Sequence, residues 1–150
     1  MTPANPDITA AVKRLTGLYA TLNPGNLDQL GAIYDAEASF KDPFNEIQGP
    51  VQIRKIFEHM FNALNKPKFT ISKCIAQDNH CFLIWDFTFY FKSTKPTMQQ
   101  TIHGASHVIF NEKGMVSYHR DYWDVAEELY EKFPLLGSLL RWIKRRLAVN

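Results

Sequence analysis

The feature that most constrains this chain is a change of hydrophobic period at Pro67. Before it, apolar residues recur every three or four positions, the repeat of a helix with one buried face. After it come long runs rich in Phe, Ile, Thr, Val and Tyr, the residues that fill strands. Helices first and strands second, within 150 residues, point to one α+β domain large enough to bury a core.

Ile8, Val12, Leu15, Leu18, Tyr19 and Leu22 fall on one face of a first helix, behind a polar lead-in over residues 1–7. Asn23-Pro24-Gly25 stops it, because Pro cannot continue a helix and Gly supplies turn geometry. A short second helix is expected after Asn26, its cap, with Leu27, Leu30, Ile33 and Tyr34 on one face. Residues 38–41 make a short strand ended by Asp42-Pro43, since Pro holds the residue before it extended. Gly49-Pro50 opens a third helix to about residue 64, with Ile53, Ile56, Phe57, Met60, Phe61 and Leu64 as its stripe. Strands are expected over residues 68–76, 81–92, 98–111 and 115–123, joined by links short enough for consecutive antiparallel hairpins. The last link, Asn111-Glu112-Lys113-Gly114, puts Gly where a positive φ is needed. Val125, Leu129 and Phe133 suggest a further helical segment. An amphipathic helix over residues 135–147 closes the chain, its leucines and Ile143 set against Arg141, Lys144, Arg145 and Arg146.

There is no internal repeat or interdomain linker, so residues 1–150 form one domain with residues 135–150 as an appended helix. The expected architecture is a cone-shaped barrel, a curved antiparallel sheet wrapped around three helices. Such a cone encloses a blind apolar cavity, a usual setting for a small-ligand site. A composition 45% hydrophobic and 13% aromatic suits a thick core, a cavity or a buried interface. A net charge of +2 argues for no particular partner, and no basic stripe with interleaved aromatics suggests nucleic acid. Cys74 and Cys81 are expected to be reduced core thiols, although they could face each other across a hairpin. With neither a secretory signal nor an apolar run long enough to span a bilayer, a cytoplasmic protein is expected. Membrane contact through the last helix is the lesser alternative to its packing over the cavity mouth or a partner.

Five pieces in order carry a family resemblance: Leu22-Asn23-Pro24-Gly25-Asn26-Leu27-Asp28, Phe40-Lys41-Asp42-Pro43, Gly49, Phe110-Asn111-Glu112-Lys113-Gly114, and His119-Arg120-Asp121-Tyr122-Trp123-Asp124. Over residues 8–130 the chain resembles the nuclear transport factor 2-like superfamily, within it the group of SnoaL-like polyketide cyclases, ketosteroid isomerases and limonene-epoxide hydrolases. The resemblance implies that Asp42 stands where the isomerases carry their general base. Their protonated, hydrogen-bond-donating Asp falls on Ser106, and their first-helix Tyr falls on Leu18, with Tyr19 one residue away. Both isomerase oxyanion donors are thus missing or changed. The Arg-Asp step of the cyclases and hydrolases, whose Asp does acid/base work, matches Arg120-Asp121. The hydrolases' further Arg and Asp fall on Asp86 and Thr88, so their Asp–Arg–Asp relay is absent.

Alternation places His119, Asp121 and Trp123 on one face of the last strand, and the resemblance makes that face the pocket. An Asp among aromatic neighbours needs a partner, and His119 can supply it. Asp121 is therefore the expected acid/base residue at the cavity floor, assisted by His119 and tuned by Asp86 or Asp42. In the strand over residues 81–92, Ile84, Asp86, Thr88 and Tyr90 form the more polar face and are assigned to the pocket. The opposite face, Trp85, Phe87, Phe89 and Phe91, is then expected to lie under a second subunit of a homodimer. Trp123, Ser106, Thr88, Tyr90, Tyr19, Leu18, Phe57 and Phe61 complete the expected ligand-binding set. His103 and His107 are expected at a surface or interface. No metal motif, phosphate loop or Ser or Cys nucleophile signature occurs, and no cofactor is expected. The reading that follows is an isomerase, cyclase or dehydratase acting on a small apolar carbonyl-bearing ligand. Its rival is a non-catalytic ligand-binding or dimerisation domain.

Overall fold

The computed structural model of the chain describes residues 6–149, with side chains from residue 8; most of the expected lead-in over residues 1–7 lies outside the described residues. Helix α1 (Pro6–Ala20) buries Ile8, Ala11, Leu15, Leu18 and Tyr19 along one face. Two asparagines form the stop after it: Asn23 Oδ1 accepts from the Gly25 N–H at 2.8 Å, and Asn26 Oδ1 accepts from the Asn23 N–H at 2.8 Å. The second helix is shorter than its stripe. A 3-10 turn, Leu27–Gln29, leads into α2 (Leu30–Ile33), and Tyr34 already begins strand β1 (Tyr34–Lys41). Tyr34, Ala38 and Phe40 alternate inward along that strand and are buried.

Strand β2 (Glu46–Gln48) pairs antiparallel with β1; three residues are too few to show a period in the sequence. Gly49, at φ 83°, precedes α3 (Pro50–Ala63), and a Cβ there would lie 2.9 Å from the Ala36 carbonyl oxygen, so only glycine fits. Four long strands follow: β3 (Leu64–Gln77), β4 (His80–Phe91), β5 (Gln100–Phe110) and β6 (Val116–Tyr122). They form the expected antiparallel meander, with Gly114 at φ 71° in the β5–β6 link.

The six-stranded sheet has the order β2-β1-β6-β5-β4-β3, and it is curved and unclosed. It is mixed rather than wholly antiparallel, because β1 pairs parallel with β6. Alternation states which face a residue takes and not which strand lies beside it, so this non-local pairing left no mark in the pattern. Register shifts within β3–β4, β5–β6 and β1–β6 add residues to one strand of each pair and bend it. The chain ends with α4 (Val125–Glu128), capped by the Asp124 carboxylate, a 3-10 turn, Tyr130–Lys132, and α5 (Pro134–Leu147).

The two faces of β4 are the reverse of the expected ones. Leu83, Trp85, Phe87 and Phe89 are buried on the concave side, whereas Asp86, Thr88 and Tyr90 lie on the outer face. Burying three large aromatic rings outweighs gathering polar groups, since each buries 150 Å² or more. The outer face tolerates Asp86 because the carboxylate stays in water and reaches His103 Nδ1 on β5 at 2.5 Å. The aromatic face is covered by the chain's own interior and needs no second subunit to cover it.

Gly104 of β5 lies opposite Trp85 in register, and the indole rests across it. A Cβ at that position would meet the ring at 2.3 Å. Gly104→Ala is therefore expected to push the indole off its seat and lower stability by about 1–3 kcal/mol in a chemical denaturation series. An unchanged midpoint would show that the ring has room to move.

Candidate functional site

The concave face of the sheet and the inner faces of α1 and α3 enclose a cavity of about 350 Å³. Its walls are apolar, with Phe57, Phe69, Phe87 and Phe89 prominent. Phe69 stacks on Phe87 at 4.6 Å and meets Tyr19 and Trp85 edge-on. Asp42, Asn45 and His59 also line the space, and polar side chains gather where β5 and β6 bring Ser106, His119 and Asp121 together.

Those three belong to a chain of five hydrogen bonds. Tyr19 Oη and Tyr34 Oη are 2.7 Å apart, and Tyr34 Oη is 2.7 Å from His119 Nδ1. His119 Nε2 reaches Asp121 Oδ1 at 2.7 Å. From the other side, Trp85 Nε1 donates to Ser106 Oγ at 2.9 Å, and Ser106 Oγ donates to the same Asp121 Oδ1 at 2.5 Å. With Asp121 ionised, its oxygens only accept. His119 then donates from Nε2, its Nδ1 accepts from Tyr34, and Tyr34 accepts from Tyr19. Two files of donors therefore end on one oxygen. Among the described residues, Asp121 Oδ2 has no hydrogen-bond partner.

Burial orders these groups. Tyr34 and His119 are sealed, at 0% and 2% exposure, while the Asp121 side chain is 20% exposed. Asp121 is therefore not a floor residue: it stands in the wall between the apolar cavity and an outer cleft lined by Lys41, Arg120 and Asp124. Burial drives the Tyr34 hydroxyl far above the usual tyrosine range. Burial first, then the neighbouring Tyr34 and the Asp121 charge, does the same to Tyr19. Both hydroxyls thus stay protonated, as the donor chain requires.

Most of the residues singled out in the sequence meet here. Asp121, His119, Ser106, Tyr19, Phe57 and Trp123 all line the cavity. Asp42 also lines it, but its carboxylate accepts from the N–H groups of Phe44 (2.7 Å) and Asn45 (2.6 Å) and from Asn45 Nδ2 (3.0 Å). Asp42 ties down the loop that carries Phe44, whose ring meets Trp123 edge-on. Asp86, Thr88 and Tyr90 stand on the outer face, away from the cavity, because β4 turns its aromatic residues inward. Leu18 is buried in the core behind the cavity wall, and Phe61 packs at the core's edge. His103 and His107 are on the outer face as expected, and His107 there contacts His80 and Phe82.

Two members of the hydrogen-bond chain were missed. The sequence pattern makes Tyr34 one more residue of a helical stripe and puts Trp85 on the outer face. A buried hydroxyl or indole N–H needs a partner, which was the signal available for both. Cys74 and Cys81 are free thiols with Sγ atoms 3.0 Å apart, and burial pushes the Cys81 thiol up to about 12.

Residues 15–119 match the model of the SnoaL-like domain. No curated protein sequence matches the chain. Among solved structures, an M. tuberculosis LEH-like epoxide hydrolase is 15% identical, with a TM-score of 0.68 over 93% of this chain and 99% of its own. A protein with a ketosteroid isomerase-like fold from Catenulispora acidiphila DSM 44928, in complex with trimethylamine, is 16% identical with a TM-score of 0.67 over 84% of this chain and 92% of its own. An NTF2-like protein of unknown function from Burkholderia pseudomallei K96243 is 11% identical with a TM-score of 0.69 over 82% of this chain and 95% of its own. These TM-scores show a shared fold, and at such identities the fold alone.

The raised hydroxyls have a consequence for stability. Tyr19 and Tyr34 hold their protons to higher pH in the folded chain than in the unfolded one, whose value is 10.0. Below that value they leave stability unaffected. Above it the unfolded chain alone loses protons and the fold weakens. Denaturation midpoints are expected to fall as pH rises past about 10, with Cys81 contributing from about 9. Tyr34→Phe is expected to lower the midpoint at neutral pH, by about 1–3 kcal/mol for the orphaned imidazole, and to flatten the alkaline fall. An alkaline slope identical in wild type and Tyr34→Phe would contradict the burial of that hydroxyl.

Proposed function

This chain belongs to the SnoaL-like domain family, and we propose that it binds a small apolar, carbonyl-bearing molecule and moves a proton on it. The observation that carries this reading is the convergence of two donor files on Asp121 Oδ1, beside a cavity whose walls are mostly apolar. Oδ1 is held by the protein, and Oδ2 is left for a ligand. In this reading Asp121 is the general base. Oδ2 takes a proton from a ligand carbon or hydroxyl within hydrogen-bond reach and returns it at a second position. His119, bonded through both ring nitrogens, is a positioning residue that fixes the carboxylate and passes Tyr34 and Tyr19 polarisation to it. Trp123 and Phe44 form a lip through which the ligand enters. Isomerase, cyclase and dehydratase chemistry all need such a group.

One observation favours the rival reading, a non-catalytic binding domain. Tyr19, Tyr34, His119, Trp85 and Ser106 already bond to one another or to Asp121, so none is a free donor for an oxyanion. We also propose that a second copy pairs with the outer sheet face, where Phe82, Ile84 and Tyr122 are exposed. The cytoplasm, where thiols stay reduced, suits the unbridged Cys74 and Cys81. No helix among the described residues is long and apolar enough to cross a membrane.

A thermal-shift screen of apolar ketones and aldehydes, with hits then incubated in D₂O and followed by NMR, separates the two functional readings. The enzyme reading expects deuterium to enter beside the carbonyl with wild-type protein, and Asp121→Asn to slow this by about 10²–10⁴-fold. His119→Ala is expected to slow exchange less and to lower stability more. Ligands that bind equally well to wild type and Asp121→Asn without exchange would leave only the binding domain. Light scattering tests the pairing: a dimer that Phe82→Glu makes monomeric supports it, and a monomeric wild type removes it.

A further inference from the structure

Helix α5 is fastened to the domain by the wrong side for a core helix. Its buried points are Gly137, whose Cα lies against the Glu131 carbonyl, and the half-buried Leu140. Arg141 Nη1 donates to the Glu131 carbonyl at 3.0 Å, and Lys144 Nζ pairs with the Glu131 carboxylate at 3.0 Å. Gly137, Arg141 and Lys144 follow one another at helical steps, so the edge that docks is small and polar except for Leu140. The apolar face looks outward. Leu135, Leu139, Trp142, Ile143 and Leu147 are all exposed, Leu135 at 89% and Leu147 at 80%. None of α5 lines the cavity, so the expectation that its leucines close the mouth does not hold.

We infer that α5 is a docking helix for an anionic lipid surface, lying flat in the headgroup layer with its leucines and Trp142 in the acyl boundary. Its charge makes the choice between occupants. Residues 133–149 hold Arg141, Lys144, Arg145 and Arg146 and no acidic side chain. Arg141 and Lys144 serve the fastening, and Arg145 and Arg146 carry no bond to the protein among the described residues. Arg146 moreover stands within the apolar stripe, at helical steps from Leu135, Leu139 and Trp142, with its guanidinium 5.1 Å from the Trp142 ring centre. A second copy on this face would bury that charge against leucines and against its own like charge. At a bilayer surface the same side chain reaches up to a phosphate while its stem and the indole stay in the boundary. At 14 residues, α5 is about 21 Å long, so it can lie along such a surface and cannot span one. Its root is close to the proposed site: Leu129, next to the turn that α5 is fastened to, lines the cavity.

The test is co-sedimentation of the full-length chain with vesicles of phosphatidylcholine alone and of phosphatidylcholine mixed with phosphatidylglycerol. Binding to the mixed vesicles only, weakening with salt, is expected. Arg145→Glu with Arg146→Glu should weaken it about tenfold or more, and Leu139→Glu with Ile143→Glu should abolish it. All four substituted side chains are exposed, and unchanged melting of the variants would confirm that the domain is intact. Trp142 emission should shift to the blue on binding, a shift missing from Trp142→Phe although Trp85 and Trp123 are still present. No binding to anionic vesicles, equal binding to neutral ones, or binding that survives Leu139→Glu with Ile143→Glu would overturn the inference. So would a wild-type oligomer that these same variants dissolve without any vesicle binding.

Discussion

The protein is organised around one demand, that a carboxylate and an imidazole placed beside an apolar cavity be satisfied from within. Removing one partner of such a pair leaves an unsatisfied polar group, at a cost of about 1–3 kcal/mol. Satisfying it takes side chains from four strands and a helix. Tyr19 comes from α1, Tyr34 from β1, Trp85 from β4, Ser106 from β5, and His119 and Asp121 from β6. Four of the five bonds join two elements and so fix their side chains relative to one another, and the fifth, His119 to Asp121, lies within β6. A packed apolar interior tolerates some sliding, whereas a file of hydrogen bonds 2.5–2.9 Å long does not. The curvature of the sheet and the seat of α1 are thereby locked to the geometry of one carboxylate.

The apolar walls and the polar end serve each other. Excluding water from around Tyr34 and His119 strengthens every bond between them, because the local dielectric is low. In return the polar chain stops the cone from collapsing onto its own aromatic rings, since Tyr19 and Trp85 are each tethered by one polar atom. Their rings stand as walls rather than fillers. Gly104 belongs to the same design: without a side chain it lets the Trp85 indole lie across β5 and reach Ser106.

The fold was largely legible because hydrophobic period reports local geometry well. The helix before Asn23, the helix after Gly49 and the four-strand meander all follow from spacing and stop residues. Period 2 also placed His119, Asp121 and Trp123 correctly once the inward face of β6 was known from the family resemblance. It misplaced Asp86, Thr88 and Tyr90 because alternation separates two faces without saying which is inside. The deciding term, burial of Trp85, Phe87 and Phe89, is present in the residues but competes with the tendency of a site to be polar. Tyr34 was illegible for a different reason. Its hydroxyl partners, Tyr19 and His119, are 15 and 85 residues away, and no local pattern carries that information. The parallel seam between β1 and β6 escaped on the same ground.

That seam sets the order in which the molecule can be completed. Strand β1 leaves the ribosome early but has on one side only the three-residue β2, and its other edge must wait for β6, the last strand made. Closing so long a loop costs entropy before any contact rewards it, which slows folding. Until then Tyr34 has no imidazole to meet and the aromatic interior lies open to other chains. An emerging polypeptide is therefore sticky over most of its length and lacks the bond between Tyr34 and His119. Both conditions end together, when the final strand docks.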